Sequence, residues 1–132
     1  MVAKTVSFML LSGPYGSQMA DHCIRIAQRA LDNGYNVKIF LYGEGVHAQM
    51  SGQLPKAFLN IGESLKQLSQ KGAEIISCSR CSQARGYIKG EFSEKDNRYP
   101  SEKALDEVRI LSLYGYIDQV KASDKVLCFG GL

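Results

Sequence analysis

Residues 5–42 hold two apolar runs separated by one amphipathic stretch, and no other feature narrows the possible folds as far. The first run, Thr-Val-Ser-Phe-Met-Leu-Leu-Ser over residues 5–12, stops at the turn signal Gly13-Pro14-Tyr15-Gly16 and reads as a central strand. Ser17 is placed to cap a helix in which Ala20, Cys23, Ile24, Ala27 and Leu31 recur at three and four residues, and Asn33-Gly34 stops it. A second strand follows over residues 36–42. Strand, helix and strand in under forty residues is the parallel crossover unit, with the helix laid over the sheet.

The remaining segments repeat the alternation. Residues 43–47 read as the loop leaving the second strand, and residues 48–60, with Pro55, as irregular with at most one helical turn. Ile61, Leu65 and Leu68 mark a second helix ended by Lys71-Gly72, which leads into a third strand over residues 73–77. Residues 87–101 are the least apolar part of the chain and read as a solvated loop, followed by a helical pattern over 102–108 and a short strand at 109–111. Ser112 caps a further helix through Tyr116, Ile117 and Val120, and residues 125–129 form a last apolar strand before Gly130-Gly131. The expectation is an α/β fold, a three-layer αβα arrangement with a mostly parallel sheet of four or five strands. A length of 132 residues suits a single domain over the whole chain.

Composition removes several classes of function. With 45% hydrophobic and 22% charged residues the chain has an ordinary globular balance, and its apolar runs are far too short to cross a bilayer. The amino end has no signal-peptide pattern, so a cytoplasmic protein without membrane contact is expected. A net charge of +3, with bases scattered among acids, gives no reason to expect direct nucleic-acid binding. Four cysteines, at 23, 78, 81 and 128, are too few and too irregular for a secreted disulfide framework. Cys23 falls on the apolar helix stripe and Cys128 in the last strand, so both read as buried.

The chemistry is expected at Glu-Ile-Ile-Ser-Cys-Ser-Arg-Cys-Ser-Gln-Ala-Arg, residues 74–85, where a buried strand turns into a short helix. Cys78 stands at the turn. Backbone N–H groups and the positive end of a helix favour the thiolate there, and Arg80 and Arg85 add positive charge within two turns. Cys81 lies three residues on, so the pair reads either as a redox couple or as one nucleophile beside a core residue. The motif follows the third strand, with prolines only at 14, 55 and 100, which argues against thioredoxin itself. Zinc would need two further ligands, and His22 and His47 are solitary, so no metal is expected. In a parallel sheet the loops beyond the carboxyl ends of the strands form the functional edge. Gly13, Tyr15, Gly16 and Ser17 in the first loop and Glu44 and His47 in the second are therefore candidates to line it beside Cys78. The first loop can hold an anion on backbone N–H groups, but it matches neither Gly-x-x-x-x-Gly-Lys-Ser/Thr nor Gly-x-Gly-x-x-Gly, and no cofactor is expected.

In order and spacing these segments resemble the DsrE-like sulfur-relay family over nearly the whole chain. The resemblance rests on Ser12-Gly13-Pro14-Tyr15-Gly16-Ser17, Phe40-Leu41-Tyr42-Gly43-Glu44-Gly45-Val46, Cys78 seven residues before Arg85-Gly86, and Ala122-Ser123-Asp124-Lys125-Val126 followed by Phe129-Gly130. It implies sulfur carried as a persulfide on Cys78, taken from a donor protein and passed to an acceptor protein, in tRNA thiolation or in sulfur oxidation. It also implies a homo-oligomer, trimer or hexamer, or an assembly with related sister subunits. Cys81 departs from the resemblance, because small apolar residues commonly stand there. A carrier that discharges itself would be a poor relay, so Cys81 is expected to face the core. Two other readings stay open: a thiol-disulfide protein using Cys78 and Cys81, and a non-catalytic binding subunit.

Overall fold

The computed structural model describes residues 3–131. Five strands, β1 (Thr5–Leu10), β2 (Asn36–Leu41), β3 (Glu74–Cys78), β4 (Arg109–Leu111) and β5 (Lys125–Phe129), form one wholly parallel sheet in the order β4-β3-β2-β1-β5. Helix α1 (Met19–Asp32) joins β1 to β2, and α2 (Ile61–Gln70) joins β2 to β3. The short α3 (Ser79–Ala84) follows β3, and α4 (Leu113–Lys121) carries the chain from β4 across to β5 on the far side of β1. The expected α/β layering is what the chain adopts.

Parallel register decides which side chains share a face. Phe8 pairs with Ile39 and Ile39 with Ile75, and this row, with Leu10 and Leu41, meets Cys23, Ile24 and Ala27 of α1 and Leu65 and Leu68 of α2. All are nearly or fully buried, and such a side chain contributes about 1.5–3 kcal/mol on leaving water. The opposite face is covered by α4 over β2 and β3. Tyr116 packs on Phe40 with ring centres 5.1 Å apart, and Gly115 faces Ile76 across an ordinary contact, 3.4 Å from where a Cβ would stand. Beneath α4 runs a polar band in which Glu74 accepts from Lys38 and Arg109, both at 3.4 Å, and from Gln119 at 3.2 Å.

That placement of α4 corrects the expectation for Cys128. The helix sits over β3 and β2, so the edge strand β5 keeps cover on one side only, where Phe129 stacks on Phe8. Lys125, Val126, Leu127 and Cys128 are exposed. The helical pattern read over residues 102–108 is also absent. Ser51 N–H donates to Lys103 O and Leu105 N–H to Gln49 O, both at 2.7 Å, so this segment pairs with residues 49–51, and Val108 N–H to Leu105 O at 3.1 Å closes a turn and not a helix. The segment after the second strand is more regular than a loop: Gly43–Gln49 is a 3-10 helix. Residues 87–101 fold back on themselves, with Ser93 bridged to Arg98 and Lys89 N–H donating to Pro100 O at 2.9 Å. The first helix begins two residues after Ser17, whose hydroxyl accepts from Met19 N–H at 3.3 Å.

Candidate functional site

Cys78 ends β3 and is the N-cap residue of α3, at the carboxyl edge of the sheet where the strand-to-helix reading places it. Its side chain borders a cleft of about 670 Å³ lined also by Tyr42, Arg80, Cys81, Tyr99 and the first turn of α4 at Ser112, Leu113 and Tyr114. Under α3 a buried polar chain fixes the turn: Ser77 and Ser82 hydroxyls lie 3.0 Å apart, and Gln49 donates to the Ser82 hydroxyl at 3.0 Å. These bonds tie the helix to β3 and to the 3-10 helix at once.

The expected low pKa of Cys78 is not what this environment produces. Only 3% of the residue is exposed, and burial raises the thiol above its ordinary value; backbone N–H groups of Cys81 and Arg80 oppose this, and the Cys81 thiol adds to it. Desolvation outweighs the helix start. The charge of Arg85 is also directed elsewhere: its Nε and Nη2 donate to Glu44 at 3.1 and 2.7 Å, and its Nη1 to Cys81 O at 3.1 Å. Arg80 is exposed and borders the cleft.

Cys81 packs against the core, as expected, but is not enclosed by it. It is half-buried, shares the cleft with Cys78, and accepts the Gly43 N–H at 3.2 Å on its Sγ. Gly43 reaches that position with φ +59, in the left-handed region that glycine enters without steric cost. Cys23, by contrast, is fully buried, with its thiol pushed up to about 12 by desolvation.

The candidates from the two loops lie in a neighbouring hollow and not in the Cys78 cleft. Gly13, Tyr15, Gly16, Ser17, Glu44 and His47 line a separate hollow of about 560 Å³, reached also by Gly131 after β5, and Cys78 is not part of its wall. Glu44, in the wall of this hollow, holds Arg85, which in turn donates to Cys81 O, and meets His47 Nε2 at 3.2 Å. His47 Nδ1 meets the buried Tyr87 hydroxyl at 2.7 Å. Tyr15, held at φ 71, bonds through its hydroxyl to Gln53 at 2.7 Å and receives Ile61 N–H at 3.2 Å, so it caps α2 from the first loop. His22 is exposed and borders a third hollow beside Phe58. Tyr99, Leu113, Tyr114 and Ile117 are the wall residues that the sequence reading passed over. Tyr114 and Leu113 fall outside the 116, 117 and 120 spacing used to draw the helix, and that displacement was the available signal.

A family model, the DsrE/DsrF-like family, matches residues 4–129. The chain belongs to the DsrE/DsrF-like family. Relatives of this DsrE/DsrF-like chain include an uncharacterised protein of Methanopyrus kandleri, 32% identical over 94% of this chain and 93% of that one. YchN of Escherichia coli is 27% identical over 88% of this chain and 91% of its own length. The crystal structure of that E. coli protein superposes with a TM-score of 0.77 at 25% identity, covering 97% of this chain and all of the other. A conserved protein of unknown function from Bacteroides thetaiotaomicron shares the fold, at TM-score 0.59 and 13% identity over 93% of each chain.

Proposed function

We propose that this protein is an intracellular sulfur-relay carrier that holds sulfane sulfur as a persulfide on Cys78. The observation that carries the reading is the position of Cys78, at the end of β3 and the start of α3 on the floor of an open cleft, in a chain of the DsrE/DsrF-like family. The Cys78 thiolate attacks the outer sulfur of a donor persulfide; a Cys78 Sγ–S bond forms, the donor S–S bond breaks, and the donor leaves as thiolate. An acceptor thiolate then attacks the same outer sulfur and returns Cys78 as thiolate. Neither step needs an oxidant, a metal or a general base. A persulfide is more acidic than its parent thiol, so the backbone N–H groups of Arg80 and Cys81 that oppose burial at Cys78 act on an anion once sulfur is loaded.

The cleft fits a protein partner. Tyr114 is 81% exposed, and Leu113 and Ile117 expose nearly half their surface on the same wall, giving an apolar rim around buried sulfur for a cysteine-bearing segment to enter. The exposed Val126 and Leu127 of β5, with the unpaired edge of that strand, support self-assembly of the carrier through this side of the sheet. The reading is tested by loading the protein from a persulfide donor, removing the donor, and adding an acceptor protein with one free thiol. Sulfur leaves the loaded chain and appears on the acceptor, and Cys78→Ser neither loads nor transfers. Loaded sulfur that no acceptor thiol can remove would count against a relay.

A further inference from the structure

We infer that Cys81 is a resolving thiol that discharges an undelivered persulfide from Cys78 as sulfide, leaving a Cys78–Cys81 disulfide. The inference rests on the persulfide reading of Cys78 and adds a second activity to the same cleft, that of a persulfide reductase with a built-in limit on storage time.

Three independent observations support it. Cys78 caps α3 and Cys81 is the third residue of that helix, a separation that places side chains on one face with Cβ atoms about 5–6 Å apart, roughly 1–2 Å more than a disulfide spans, a gap that a small shift at the helix start closes. Both residues border the same 670 Å³ cleft, and Cys81, the more exposed of the two, packs against the core on one side and reaches the cleft on the other. Finally, the Cys81 sulfur is held in place by its surroundings. Gly43 N–H donates to Sγ at 3.2 Å, which fixes the sulfur at the cleft beside Cys78. That contact is held from both ends. Gly45 N–H bonds to Tyr42 O at 2.9 Å in the turn that presents Gly43, while Arg85 joins Cys81 O to Glu44 of the same turn. A cysteine serving only as filler needs none of this.

In the discharge step the Cys81 thiolate attacks Sγ of Cys78, the inner sulfur of the persulfide. The Cys81 Sγ–Cys78 Sγ bond forms, the Cys78 Sγ–S bond breaks, and the outer sulfur leaves with the electron pair as hydrosulfide. The two cysteine sulfurs are oxidised by two electrons in total and the sulfane sulfur is reduced by two, so no outside oxidant enters. A dithiol reductant then returns the pair to thiols by disulfide exchange. Whether sulfur is relayed or released is decided by which thiol reaches the persulfide first, that of the partner or that of Cys81.

The test follows the loaded full-length chain, free of donor and acceptor, by intact mass under non-reducing conditions and by trapping of released sulfide. The wild type is expected to lose its added sulfur, release one sulfide for each persulfide and end two hydrogens lighter than the reduced chain, with the link mapped to Cys78 and Cys81. In Cys81→Ser, whose hydroxyl can still accept from Gly43, and in Cys81→Ala, the persulfide is expected to last at least about tenfold longer. Equal persistence in the wild type and both variants overturns the inference and leaves the carrier reading intact. Movement of the added sulfur to Cys81 without sulfide release also overturns it, in favour of a two-station relay. Failure of every chain, including the Cys81 variants, to load at Cys78 overturns both.

Discussion

Replacing Gly45 with alanine tests how the cleft is held in place. A Cβ built there would lie 2.0 Å from Leu10 O and 2.8 Å from Leu10 C, inside any real contact distance, and the atoms it meets are backbone. Leu10 cannot retreat cheaply: it is buried, and its carbonyl accepts Tyr42 N–H at 3.0 Å. Separation by about an ångström therefore disturbs that bond and the Gly45 N–H to Tyr42 O bond, at about 1 kcal/mol each, on top of about 1–3 kcal/mol for overpacking. The expected loss is about 3–5 kcal/mol, a large part of the stability of an ordinary domain. Measured by urea unfolding, where the free energy falls by about 1–3 kcal/mol per molar, the midpoint should drop by at least about 1 M. The same shift displaces Gly43 from Cys81, so Cys81 in the folded variant should alkylate faster. A midpoint within about 0.3 M of wild type would refute the tight apposition of β1 and the 3-10 helix.

Other perturbations probe the surrounding chemistry. Burial pushes the Cys23 thiol from its ordinary 9.0 up to about 12, so below pH about 9 it is protonated whether folded or unfolded, and above that only the folded chain keeps the proton. Stability should fall between pH 9 and 12 by up to about 1.4 kcal/mol per pH unit from this group, and Cys23→Ala should flatten that slope in unfolding titrations; an unchanged slope would contradict the assignment. Glu44→Gln removes the charge that holds Arg85 and faces His47, and should raise the alkylation rate of Cys81 by loosening α3 from the 3-10 helix, with an unchanged rate as the contrary result. Val126→Lys on β5 should shift light-scattering mass towards the monomer if that edge joins copies of the chain, and an unaltered mass would place the contact elsewhere. Cys128→Ser should leave sulfur loading unchanged although it removes an exposed thiol, and loss of loading would move the site to β5.

Much of the fold is legible from local pattern. The apolar runs at β1, β2 and β3 and the three- and four-residue stripes of α1 and α2 are set by burial on one face or both, which is a repeat that sequence displays directly. The position of Cys78 follows from the same repeat, because an apolar run ending in small polar residues marks the strand end. What escapes is whatever depends on a distant partner. Cys128 looks buried in its own strand and is exposed because α4 lies over β3, a fact of topology. Residues 102–108 have a helical composition, yet their backbone bonds to residues 49–51. Cys81 packs on the core as its position suggests, but the N–H that Gly43, thirty-eight residues earlier, delivers to its sulfur has no local signal. At the Cys78 thiol two effects compete: the helix start is visible in sequence, but the desolvation that exceeds it comes from burial in the core.

The central claim is that sulfane sulfur is held on Cys78, and the most direct test is to locate it. Chains carrying Cys81→Ser, with and without Cys78→Ser, are exposed to a persulfide donor, stripped of it, and weighed intact and as peptides without reductant. The account predicts the added mass of one sulfur atom on the peptide containing Cys78, removed by mild reductant and absent when Cys78 is serine. Equal loading of both chains, or sulfur mapped to the exposed Cys128, would contradict it.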